Sequence, residues 1–149
     1  MKRLAAFGAA LAVAAAGSGA GQATTDTPSP AAVVRAWSKA LNANDNAAAG
    51  KLFAKHARVI QAPFDGLIPT PAIAVEFNAS LPCAGHIVRM TIKGDTVVAT
   101  FVLGHRPKHT CDAPGQKAAA LFVVRNGKIV LWEQVPVPKT KKPPSGPAA

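Results

Sequence analysis

The chain has 149 residues, 49% of them hydrophobic, with 17 basic and 7 acidic side chains for a formal net charge of +10. That length supports one domain with a substantial core and excludes two. The basic balance suits anionic surfaces, but the positive residues are scattered and tyrosine is absent, which argues against a nucleic-acid binder.

Met1, Lys2 and Arg3 form a short positive start, followed by an apolar run from Leu4 to Ala16 and then small residues as far as Ala23. That order is the layout of a cleavable secretory signal, expected to span residues 1–23. The apolar run is too short for a bilayer span, which takes about 20 residues. No cysteine lies near the cleavage region, so a lipid-anchored form is not expected. The mature chain is therefore expected to be secreted or extracytoplasmic.

Residues 24–28 read as a flexible lead-in. Ser29 is an N-cap with Pro30 at the first helical position, and Val33, Val34, Trp37 and Leu41 recur at helical spacing as far as about Asn44. Asp45 caps a second expected helix that reaches about Lys55, although Gly50 weakens it. Ala57 to Gln61 reads as a short strand closed by a Pro63-Phe64-Asp65-Gly66 turn. A third helix is expected over Pro71–Ser80, stopped by Pro82.

Strand material follows. Ile87–Ile92 turns through Lys93-Gly94-Asp95 into Thr96–Leu103, and Lys117–Arg125 turns through Asn126-Gly127 into Lys128–Val135. Asn-Gly between two β-rich runs is a strong hairpin signal, because both residues tolerate positive φ. Both faces of these strands carry apolar residues, so each face needs a cover. The segment from Pro136 onward holds five prolines and three lysines and nothing that builds a core; residues 137–149 are expected to be a disordered tail.

Cys83 and Cys111 are the only cysteines. In an exported chain such a pair reads as one disulfide. The rival is a zinc site, because Cys83, His86, His109 and Cys111, with His105 nearby, are Cys₂His₂ ligand types. An oxidising compartment favours the bridge, and nothing in the sequence calls for a cofactor.

The helix pair Val33–Lys55 joined at Asn44-Asp45, the strand entry His56-Ala57-Arg58-Val59, and the ending Arg125-Asn126-Gly127-Lys128-Ile129-Val130-Leu131-Trp132 together resemble the nuclear transport factor 2-like superfamily, nearest its SnoaL-like branch. The resemblance covers about residues 30–136 and implies an α+β cone over residues 29–136. In it a curved antiparallel sheet wraps two to three N-terminal helices and leaves an apolar pocket. It also implies pairing of two copies through the outer face of the sheet.

Ketosteroid isomerase, with the same fold, needs a phenol, a carboxylate base and a protonated acid. The corresponding positions here are Trp37, Ala62 and Ala120, so that mechanism is absent. Of the other acids and bases, Asp26, Asp45, Asp65 and Asp95 sit in the lead-in, a cap or turns. Glu76, Asp112, Glu133, His56, His86 and His105 remain, with His86, at a strand start, the one weak catalytic candidate. The expected pocket residues are Trp37, Phe53, Phe77, Phe101, Phe122 and Trp132, with Gln134 as a polar contact at the mouth. These readings lead to non-catalytic binding of a small apolar ligand or a protein partner. The alternatives are a cyclase- or isomerase-like enzyme and adhesion of the basic tail to anionic cell-envelope material.

Overall fold

A computed structural model describes residues 26–140. The expected signal segment, the first two lead-in residues and the tail beyond Thr140 lie outside the described residues. The elements run α1 (Pro30–Asn42), α2 (Asn46–Lys51), β1 (Phe53–Gln61), β2 (Phe64–Ile68), α3 (Pro71–Ser80), β3 (Ala84–Lys93), β4 (Thr96–Gly104), β5 (Lys117–Arg125) and β6 (Lys128–Val135). No helix among the described residues is long and apolar enough to cross a membrane.

All three helices begin on a side-chain cap. Ser29 Oγ accepts from the Ala32 amide, Asp45 Oδ1 from Ala48 and Thr70 Oγ1 from Ile73, which satisfies donors that a helix start leaves open. Pro30 and Pro71 occupy first-turn positions, where no amide hydrogen is needed. One face of α1 buries Val33, Val34, Trp37, Ser38 and Leu41.

The six strands form one sheet in the order β2-β1-β6-β5-β4-β3. Strands β3 to β6 are a continuous antiparallel meander. The one parallel seam joins β1 to β6, so the sheet is mixed. Both expected hairpins are present, with Gly94 at φ 56° in the first and Asn126 and Gly127 at 50° and 70° in the second. The helices cover one sheet face, against which Val97, Ala99, Phe122, Val124, Ile129 and Val59 are almost wholly buried. Among the described residues nothing covers the other face.

Two local expectations are corrected. The second helix stops at Lys51, and the first strand starts at Phe53 rather than Ala57. Tertiary pairing wins here over helical spacing. The Ile129 amide donates to the Leu52 carbonyl at 2.8 Å, and Phe53 pairs with Ile129. His56, at φ 61°, then absorbs a register shift before Arg58 rejoins β6 opposite Leu131. The supposed turn over Pro63–Gly66 is the start of β2, paired antiparallel to β1 from Gln61–Phe64 to Ala57–Ile68. This strand hides from pattern reading because Phe64 and Leu67 are both 57% exposed and Gly66 interrupts it.

Candidate functional site

The inner face of the sheet is layered. Phe122 pairs with Val97 and Trp132, and this layer is filled, with Phe122 and Val97 wholly buried. The next layer pairs Ala120 with Ala99 and Gln134, and the one beyond pairs Phe101 with Ala118. Replacing large side chains by alanines at 118 and 120 leaves space that α1 does not fill. The result is a cavity of about 350 Å³.

Its walls are Trp37, Leu41, Leu81, Phe101, Leu103, Trp132 and Ala118 to Ala120. Polar groups are few: Ser38, Gln61, Gln116 and Gln134, together with exposed Asp112 and Lys117. The Ser38 hydroxyl is already committed to the Gly85 carbonyl at 3.2 Å. An apolar chamber with a small number of polar contacts is the form of a small-molecule site.

The aromatic residues expected around the pocket divide into two sets. Trp37, Phe101 and Trp132 line the cavity, as does Gln134. Phe53, Phe77 and Phe122 lie beneath it as packing. Trp37 meets Phe122 edge-on with centroids 5.2 Å apart, Trp132 meets Phe77 at 5.2 Å, and Phe77 meets Phe53 at 5.7 Å. Of the isomerase positions, Trp37 and Ala120 line the cavity, while Ala62 lies between β1 and β2 next to cavity-lining Gln61.

His86 is exposed and lines a separate groove between α1 and β3. His56 sits at the β1 irregularity, Glu76 is exposed on α3, and Glu133 pairs with Leu121 and Ile60. None of these four lines the cavity.

Cys83 and Cys111 form a disulfide that ties the α3–β3 connection to the loop between β4 and β5. Cys83 and the adjoining Asp112 and Ala113 line the cavity, so the bridge belongs to its rim. The Asp112 carboxylate lies 3.2 Å from the Cys83 sulfur. Cys83, Cys111 and Asp112 cluster tightly, but both sulfurs are bonded to each other and are not thiolate ligands. His105 Nδ1 accepts from the Cys111 amide at 3.0 Å, and His109 is exposed. The zinc set therefore loses both of its sulfurs, and the nearby His105 has one ring nitrogen already engaged.

A buried polar network escaped sequence reasoning. Trp37 Nε1 donates to Asn78 Oδ1 at 2.8 Å, and Asn78 Nδ2 donates to the Ala74 carbonyl at 2.7 Å. Arg106 is 3% exposed. Its Nη1 donates to the Asn78 and Leu81 carbonyls, both at 2.7 Å, and its Nη2 donates to Asn44 Oδ1 and Asn46 Oδ1. Among the described residues no carboxylate balances it. Burial pushes the guanidinium below its usual range, though an arginine starts so high that it stays charged at neutral pH. The residue pins the α1–α2 turn, the end of α3 and the loop after β4 to one point. Nothing in the local His105-Arg106-Pro107 pattern announces a buried cation.

No family model matches this sequence, and no curated protein matches it. Solved structures do. An NTF2-like protein of unknown function from Cytophaga hutchinsonii superposes with a TM-score of 0.59 at 13% identity, over 72% of this chain and 88% of its own. The chain has the nuclear transport factor 2-like fold. A proposed polyketide cyclase from Sinorhizobium meliloti matches at TM-score 0.56 and 17% identity, over 69% and 93% of the two chains. A protein with a ketosteroid isomerase-like fold from Catenulispora acidiphila, solved in complex with trimethylamine, matches at 0.55 and 21%, over 69% and 83%. At these identities the likeness is one of fold.

Proposed function

We propose that this NTF2-like chain is an exported, non-catalytic domain whose cavity holds one small, largely apolar molecule. The lining carries the reading. Proton-transfer chemistry needs an acid or base within reach of the bound substrate, and the walls here are aromatic and aliphatic, with alanine at two of the three isomerase positions. The ionisable side chains on the lining, Asp112 and Lys117, are both exposed. The trimethylamine complex of a structural neighbour supports small-molecule occupancy of this fold. Export is supported by the N-terminal layout and by the disulfide, which suits an oxidising compartment.

A second copy is the proposed partner for the uncovered sheet face. Val98, Val102, Leu121, Val123, Leu131 and Val135 are half-buried there without a layer above them. Their register places them on the side opposite Phe101, Phe122 and Trp132.

The two tryptophans of the chain both line the cavity, so their fluorescence reports on it directly. Titration with 1-anilinonaphthalene-8-sulfonate should quench them saturably at one site per chain. Native mass spectrometry of the exported protein should show residues 1–23 removed and a small-molecule adduct. Absence of any saturable site sinks the binding reading. Turnover of a β,γ-unsaturated 3-ketosteroid above background sinks the non-catalytic one.

A further inference from the structure

The α1–β3 side of the domain carries charge without counter-charge. Arg35 and Lys39 stand one helical turn apart on α1, and His86, Arg89 and Lys93 lie along β3. All five are exposed. No carboxylate occurs on α1, β3 or β4. The two ion pairs among the described residues, Arg58–Asp65 and Arg125–Asp95, leave these side chains out. Arg35, Lys39, His86, Arg89, Val88 and Met90 border a shallow groove of about 560 Å³, separate from the cone cavity.

Strand β3 is also a free edge of the sheet. Helix α1 caps it at its start, where the Gly85 carbonyl accepts from Ser38 Oγ at 3.2 Å and Asn42 Nδ2 at 2.9 Å. From Ile87 onward no strand among the described residues lies outside it. Val88 and Ile92 are each 53% exposed along the same strand.

We propose that this groove binds an extended acidic segment of a partner protein. The segment adds to the outer edge of β3, sets its carboxylates against Arg35, Lys39 and Arg89 with His86 beside them, and rests an apolar residue on Val88. Strand addition supplies main-chain hydrogen bonds, while alternate side chains supply selectivity. The same cations that would guard an edge against aggregation select its partner by charge. A second copy docking edge to edge would set Arg35, Lys39, Arg89 and Lys93 against the same four cations, which disfavours self-pairing here.

The test uses the full chain with its disulfide intact and a fluorescein-labelled peptide of alternating Glu and Val, followed by anisotropy. Binding should weaken as salt is raised. The triple variant Arg35→Glu/Lys39→Glu/Arg89→Glu should lose about ten-fold or more in affinity. Lys51→Glu/Lys55→Glu/Lys139→Glu, with the same change in net charge at exposed sites elsewhere, should stay within about three-fold. Methylating alternate peptide amides should abolish binding, and amide exchange over residues 86–93 should slow when the unmodified peptide binds. Equal loss in both variants, undiminished binding of the methylated peptide, or capture by phosphatidylserine vesicles that the peptide fails to displace would each overturn the proposal.

Discussion

Replacing Cys83 and Cys111 by alanine cuts the covalent link between the α3–β3 connection and the loop over the cavity rim. The two residues are 28 apart in sequence. On the chain-entropy model, closing a loop of that length removes about 12 cal/mol/K from the unfolded ensemble, or about 3.6 kcal/mol at 25 °C. A domain of this size has a total stability of about 5–15 kcal/mol, so the loss is a large fraction of it. The melting temperature should fall by about 10–20 °C. The cavity should nonetheless persist in the folded variant. Arg106 holds the same loop to Asn78, Leu81, Asn44 and Asn46 through four hydrogen bonds that do not involve sulfur. The assay is guanidinium denaturation of the oxidised protein, the reduced protein and the double alanine variant, with dye binding measured on each. The denaturant slope should rise when the link is cut, because the freed unfolded chain exposes more surface. A loss below about 1 kcal/mol would refute the unfolded-state argument. Complete loss of dye binding in a variant that is still folded would refute the claim that Arg106 suffices as an anchor. An intact mass that does not gain two daltons on reduction would remove the bridge itself.

Three further outcomes follow from the same geometry. Ala120→Phe should fill the chamber between Ala99 and Gln134 and abolish dye quenching of Trp37 and Trp132 while the fold is kept, read by titration alongside circular dichroism; unchanged binding would place the dye elsewhere. Asn78→Ala should leave the buried Trp37 indole N–H without its acceptor and cost about 1–3 kcal/mol in chemical denaturation, with a cost near zero counting against the network. Asp65, held by Arg58 through hydrogen bonds of 2.8 and 2.6 Å, has its carboxyl lowered from the ordinary range chiefly by that bond. Its contribution is present above the unfolded carboxylate pKa and is lost as pH falls through the lower folded value. NMR titration should show that lowered midpoint, and Arg58→Ala should return it to the ordinary range.

The parts of the fold legible in the sequence are those where local chemistry and tertiary structure ask for the same thing. Ser29-Pro30 and Thr70-Pro71 start helices by capping, and Asn126-Gly127 and Gly94 turn strands by accepting positive φ. None of these needs a distant partner. The miss at residues 52–68 is of the other kind. Leu52 and Phe53 continue an apparently helical spacing, yet their backbone is claimed by β6, more than seventy residues away. Strand β2 has no inward-outward alternation to read, since its exposure follows from its place at the sheet edge.

The site divides along the same line. Helical spacing turned Trp37 inward and the resemblance named Phe101 and Trp132 as pocket residues, but whether such a residue bounds a void or fills one depends on cross-strand register. Phe122 and Ala120 are two residues apart on one face of β5; the first closes the core and the second opens the chamber. Only the pairing of Ala120 with Ala99 and Gln134, and of Phe101 with Ala118, makes the small side chains coincide. Arg106 is the extreme case. Its burial depends on oxygens from residues 44, 46, 78 and 81 converging on one guanidinium, and removing it would take that donor from two buried carbonyls and two half-buried side-chain oxygens. The loop that closes the cone is thus held by a bond that cysteine counting foresees and by a cation that no local pattern foresees. Reduction tests the first and leaves the second in place.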